Sequence, residues 1–215
     1  MKNKEPKETV VSGASGGVSL SLGSSGEVSE TAAPVANGAN ADGAGATSRV
    51  VHTIEPVFDE RSRVLVLGTM PSPKSREIGF YYGHPQNRFW RVLAALFNEP
   101  VPTTNEERTA LLLAHRIALW DVLASCTIKG ASDASIADAV PNDLRRITEA
   151  APIQRVFCTG ATAARLYRKH CEAATGIPAT QLPSTSPANA AWSLDRLVEA
   201  YRPLAEAVGE SAAGA

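Results

Sequence analysis

The chain has 215 residues, enough for one ordinary domain with some surplus but hardly for two. Hydrophobic residues make up 44% and charged ones 20%, a soluble globular composition without the run of apolar residues that a transmembrane helix requires. The formal charge of −1 divides unevenly, with four Lys and Arg against eight Asp and Glu in residues 1–60 and 17 against 14 in residues 61–215, so the remainder is mildly basic at +3. That balance is compatible with a DNA partner without indicating one.

Residues 1–50 are built of Gly, Ala, Ser, Thr, Asn and short acidic pieces, with no aromatic residue and no sustained apolar period. Such a segment buries too little apolar surface to offset its ordering entropy and is expected to be a disordered, low-complexity leader. Its start is basic, but Val18-Ser19-Leu20-Ser21-Leu22 is too short and polar for a signal peptide, so a cytoplasmic location is expected. The folded domain is expected over residues 51–210. Three widely spaced cysteines, Cys126, Cys158 and Cys171, fit neither a disulfide framework nor a metal site, and no metal or other cofactor is expected.

In chain order, residues 63–68 form a Val/Leu run ending in Gly and read as a buried parallel strand. Residues 87–98 carry a helical period with Phe89, Trp90, Leu93, Leu96 and Phe97 on one face, and residues 106–115 a second helix capped by Thr104 or Asn105. Residues 117–123 read as a second strand, and Pro141 as the start of a helix to residue 149. A third strand over 155–160 is followed by a helix over 161–171. A fourth strand near 179–182 precedes one C-terminal helix from Ser193 to about residue 208. This alternation predicts an α/β fold, a three-layer α/β/α sandwich around a parallel sheet, whose ligand sites lie at the carboxyl ends of the strands.

Three polar loops fall at that end. The first contains Gly68-Thr69-Met70-Pro71-Ser72-Pro73-Lys74-Ser75 and continues to Tyr81-Tyr82-Gly83-His84-Pro85-Gln86-Asn87-Arg88. A Gly/Pro-rich turn there exposes backbone N–H groups to a ligand. The adjacent tyrosines offer a stacking surface, His84 and Asn87 stand where a helix begins, and Arg88 is expected to point towards phosphate. The second loop follows Trp120-Asp121-Val122-Leu123-Ala124-Ser125-Cys126 and brings Lys129, Ser132 and Asp133 to the same end; Asp121 itself reads as structural. The third, Leu182-Pro183-Ser184-Thr185-Ser186-Pro187-Ala188-Asn189, is rigid and rich in donors suited to phosphate oxygens.

Taken together, Gly-Thr-Met-Pro-Ser, Tyr-Tyr-Gly-His-Pro-Gln-Asn-Arg-Phe-Trp, Trp-Asp-Val-Leu-Ala-Ser-Cys and Leu-Pro-Ser-Thr-Ser-Pro-Ala-Asn resemble the uracil-DNA glycosylase superfamily, within it the hypoxanthine-DNA (deoxyinosine) glycosylase branch. The resemblance spans roughly residues 58–201. It implies a four-stranded, mostly parallel sheet and a monofunctional glycosylase that removes a deaminated base, hypoxanthine first, from double-stranded DNA. A nucleoid-associated location is expected, and a monomer, since the sequence carries no interface signature and probing a single lesion needs no symmetry. Superfamily members carry Gly-X-Asp/Asn-Pro after the first strand and begin the last motif with His or Asn; here Met70 and Leu182 occupy those places. The branch places catalysis on the Asn of His-Pro-X-Asn, which is Asn87.

The resemblance thus assigns Asn87 to positioning water or base and His84 to donating to the base. The base pocket is expected to comprise Gly68, Thr69, Met70, Pro71, Tyr81, Tyr82 and Ser125, with Tyr81 or Tyr82 stacking. DNA contacts fall to Ser72, Ser75, Lys129, Ser184, Thr185, Ser186 and Asn189. Asn87 reads equally as the N-cap of the helix that follows, and the two roles can coexist. Lys74, Lys129 and Lys169, the lysines of the expected folded region, stand in no recognised nucleophile setting, so a monofunctional enzyme without a Schiff-base lyase step is expected. Two alternatives stay open: a uracil or xanthine glycosylase, and a non-catalytic module that binds a damaged base or nucleotide.

Overall fold

A computed structural model describes residues 46–213. Its centre is a four-stranded parallel sheet of β2 (Val64–Gly68), β3 (Ile117–Asp121), β6 (Arg155–Thr159) and β7 (Ala179–Leu182), in the order β3-β2-β6-β7. Every residue of β2 and β3 is buried, because helices cover both faces of a parallel sheet and leave no side for solvent. Those helices are α1 (Pro73–Ile78), α2 (Phe89–Phe97), α3 (Asn105–Ala114), α4 (Arg145–Thr148), α5 (Ala161–His170), α6 (Glu172–Thr175), α7 (Leu194–Ala200) and α8 (Arg202–Ala213). The expected three-layer α/β/α sandwich is the fold observed.

Local chemistry explains most boundaries. Thr104 and Glu107 form a reciprocal capping box at the start of α3. The expected single C-terminal helix is interrupted at Tyr201. Pro203 in the next turn has no N–H for the carbonyl four residues back, so the chain re-enters the helix as α8. Buried Tyr201 then donates its hydroxyl to Pro183 O at 2.9 Å, tying that break to the loop after β7.

A second sheet was not legible from the pattern. Antiparallel strands β1 (Thr47–Val51), β4 (Leu123–Lys129) and β5 (Ala137–Pro141) pair in the order β1-β4-β5. Order therefore begins before residue 51, because Thr47–Val51 lies along β4 with Val50 opposite Cys126. The expectation for residues 1–45 falls outside the described residues. The run 117–123 is not one strand: Asp121 ends β3, Val122 donates its N–H to Gly68 O at 2.9 Å, and Leu123 opens β4 in the other sheet. Pro141 closes β5 instead of starting a helix, since a missing N–H is tolerated equally at a strand edge and in a first helical turn. Among the described residues no helix is long and apolar enough to cross a membrane. All three cysteines are free and buried, and burial pushes the Cys158 thiol up to about 12.

Candidate active site

The carboxyl ends of the parallel strands open into a cleft of about 720 Å³, within the roughly 300–1,000 Å³ usual for ligand sites. One wall is the loop from Gly68 to Ser75, another the segment from Tyr81 to Asn87, a third the loop from Ser184 to Asn189. The turn carrying Gly130, Ser132 and Asp133 closes the remaining side.

Asn87 sits between the first and last of these loops. Its Oδ1 accepts from the Phe89 N–H at 3.0 Å and from the Thr185 hydroxyl at 2.9 Å. Thr185 is 1% exposed, so the second bond is shielded from water. The N-cap position of α2 falls on Arg88 and not on Asn87 as expected; the Asn87 oxygen nonetheless holds the first N–H of α2 and joins the loops, and the Nδ2 group is left as the donor for a ligand. Next to it His84 is exposed at the cleft edge, its Nδ1 accepting from Gln86 N–H at 3.1 Å, which puts the hydrogen of the neutral ring on Nε2.

The two tyrosines differ. Tyr81 is 2% exposed, and its hydroxyl donates to the carbonyls of Ile54 and Glu55, so it is a pillar of the wall and not a free stacking surface. Tyr82 lines the cleft with a left-handed φ of 51°. One face of its ring stacks on Phe89 at 3.9 Å, and its hydroxyl meets Thr159 Oγ1 at 2.9 Å. Burial, reinforced by the Asp121 charge, pushes the Tyr82 phenol well above its ordinary value and keeps it neutral.

Other expected residues are redistributed. Ser125 does not line the cleft; it lies in β4, where its hydroxyl accepts from the Arg49 guanidinium at 3.2 Å. Lys129 is exposed at the end of β4, outside the lining. Ser75 is 2% exposed and accepts from the Gly83 N–H at 3.1 Å, which makes it an internal strut, whereas Ser72 caps α1. Asn189 is committed to closing its own loop through Nδ2 to Ser184 O at 2.8 Å. Ser184 and Ser186 each accept from a backbone N–H two residues on, and their hydroxyl hydrogens remain available. Leu182 is 2% exposed in the core and does not line the cleft, while Met70 and Pro71 do.

Arg88 points inward, contrary to the expected phosphate contact. Its guanidinium donates to the carbonyls of Thr185, Ser186, Asn189 and Trp192, so it clamps the whole loop. Arg76, which the sequence reading passed over, is a cation in the lining that also donates to Pro71 O at 3.2 Å.

The sequence reading also missed His52. Its Nδ1 accepts from the Ile54 N–H, so Nε2 carries the hydrogen and gives it to Asp121 Oδ2 at 3.0 Å. The side chains are 1% and 6% exposed. No local signal marks this pair, because the partners stand 69 residues apart. Asp121 then lies against Gly68: a Cβ at that glycine would stand 2.2 Å from Asp121 Oδ1. Gly68→Ala is accordingly expected to destabilise the protein by about 1–3 kcal/mol, as overpacking does, measured as a lower urea midpoint at unchanged slope. Among the described residues no group of three or more His, Cys, Asp or Glu side chains is placed to hold a metal ion.

Residues 55–205 match the family model described as the uracil DNA glycosylase superfamily. A Methanosarcina acetivorans protein named hypoxanthine DNA glycosylase is 34% identical over 141 residues, covering 65% of this chain and 89% of that protein. A Methanosarcina barkeri protein of the same name is 36% identical over 98 residues, 45% of this chain and 62% of the relative. The solution NMR structure of a candidate uracil DNA glycosylase from M. acetivorans superposes with a TM-score of 0.61 at 31% identity, over 71% of this chain and 97% of that one. The chain belongs to the uracil DNA glycosylase superfamily.

Proposed function

We propose that the protein is a monofunctional DNA glycosylase that hydrolyses the N-glycosidic bond of deoxyinosine in double-stranded DNA, releasing hypoxanthine and leaving an abasic site. The observation that carries this reading is the Asn87 amide, fixed by its oxygen between two loops of a cleft large enough for an extruded nucleotide. The names of the two archaeal relatives point to the same base.

Extruding the nucleotide costs a few kcal/mol, least where it is mismatched, as inosine opposite T is. In the cleft, Asn87 Nδ2 and His84 donate to the base as negative charge builds on it, and Met70 and Tyr82 form walls around it. Most of the acceleration is electrostatic, since a donor aimed at a departing anion gains strength as the bond breaks. Ser72, Ser184 and Ser186 supply hydroxyls to the DNA backbone, with Lys129 outside the cleft as a cation for it. None of Lys74, Lys129 and Lys169 lines the cleft, which supports hydrolysis without a Schiff-base intermediate. The enzyme acts as a monomer on chromosomal DNA in the cytoplasm.

Single-turnover excision from duplexes carrying deoxyinosine, deoxyuridine or deoxyxanthosine, with alkali to reveal abasic sites, tests the proposal. Deoxyinosine is expected to be processed fastest. Preference for uracil or xanthine would reassign the substrate, and no release with retained DNA binding would mark a binding module. Strand cleavage without alkali would contradict the monofunctional reaction.

A further inference from the structure

Hydrolysis needs an acceptor for the proton of the attacking water. Met70 has none, and the Asn87 oxygen is already occupied by two donors. Asp121 also reaches the cleft lining, but it is 4% exposed, bound through one oxygen to His52 and packed against Gly68 through the other. Asp133 is different. It lines the same cleft but is only partly buried, and it rises from the turn after β4 towards the loop that follows β2. Thr69, adjacent to Met70, donates its hydroxyl to Asp133 Oδ2 at 2.8 Å, and Oδ1 has no hydrogen-bond partner among the described residues. One oxygen is thus anchored to the strand-end loop and the other is available to a molecule in the cleft.

We infer that Asp133 is a catalytic residue, the carboxylate that orients the attacking water and takes its proton. This rests on the glycosylase reading above. The water oxygen forms a bond to C1′, and the C1′–N9 bond breaks with its electron pair leaving on hypoxanthine. One water proton passes to Asp133 Oδ1, and the other stays on the new sugar hydroxyl. The departing base anion is held by Asn87 and takes the proton from Asp133, which restores the carboxylate. Before the bond is made, the same negative charge stabilises the cationic sugar.

The groups facing Asp133 are Thr69 of the first loop, Asp121 of β3 and Cys126 of β4, with Arg76 of α1 beyond Cys126. Burial pushes the Asp133 carboxyl above its ordinary value; the Thr69 bond opposes this and the Asp121 charge adds to it. The deprotonated form is the active one, so the excision rate must rise as pH increases through the acid limb set by Asp133. That limb lies above the ordinary aspartate range.

The test is single-turnover excision from deoxyinosine duplex by wild type, Asp133→Asn and Thr69→Val across pH. Binding is measured alongside, to a duplex whose 2′-fluoro-arabino deoxyinosine resists hydrolysis. Asp133→Asn is expected to lower the rate by roughly 10²–10⁴-fold, the usual contribution of general acid–base catalysis, to flatten the acid limb and to leave affinity unchanged. Thr69→Val is expected to keep the limb, shifted upward in pH by loss of the bond that favours the charged form. An Asp133→Asn rate within threefold of wild type, or an unaltered acid limb, would overturn the assignment while leaving the glycosylase reading intact. Failure of wild type to release hypoxanthine would overturn both.

Discussion

Asn87→Asp is expected to lower deoxyinosine excision by about 100- to 1,000-fold, the cost of removing one donor aimed at developing negative charge, while leaving the protein as stable as wild type. The substituted carboxylate keeps an acceptor for the Phe89 N–H and for the Thr185 hydroxyl, so both bonds of the native oxygen survive. Its negative charge at the start of α2 is also favourable to the helix. What it loses is the amide hydrogens. Asn87→Ala removes both halves: it should be equally inactive, and it should also lose about 0.5–1.5 kcal/mol for the bond to the Phe89 N–H, with the buried Thr185 hydroxyl left unpaired. Thermal melts and single-turnover rates on the two variants therefore separate the structural bonds of the Asn87 oxygen from the chemistry. An active Asn87→Asp enzyme would show that the residue only holds the two loops and the start of α2 in place.

His52→Ala is expected to cost about 3–5 kcal/mol, the range for leaving a buried charge without its partner. The affected charge is Asp121, whose other oxygen is already confined by Gly68. For a domain of this size the change corresponds to a fall in melting temperature of roughly 2–4 °C per kcal/mol. The discriminating measurement is a double-mutant cycle with Asp121→Ala. Because the His52 substitution acts by stranding that carboxylate, its cost should fall sharply once Asp121 is gone. Equal cost in both backgrounds would mean that His52 contributes packing only.

The elements that the sequence specified are those whose physics is local. The all-buried Val/Leu run of β2, the alternation of strand and helix, the Thr104 cap and the helical period of residues 89–97 each follow from neighbouring residues. So does the position of the site, since a parallel sheet places its ligand cleft at the strand ends, and the motif loops lie there. The second sheet escaped because β1 is a short segment whose only buried side chain is Val50, and its pairing with β4 spans about 80 residues of chain. The run 117–123, interrupted only by Asp121, likewise gives no sign that residue 122 crosses from one sheet to another.

At the site, sequence determined which side chains are present, and tertiary structure decided which of their atoms remain free. Arg88 and Asn189 look like phosphate ligands in a one-dimensional reading, yet both are consumed by carbonyls of the loop they hold. Tyr81 is similarly committed, while Tyr82 keeps access to the cleft. Asp133, a residue in a polar turn, gains its position from Thr69, 64 residues earlier. Hydrogen-bond saturation is a property of contacts between distant segments. It separates a scaffold residue from a reactive one only after the chain has folded.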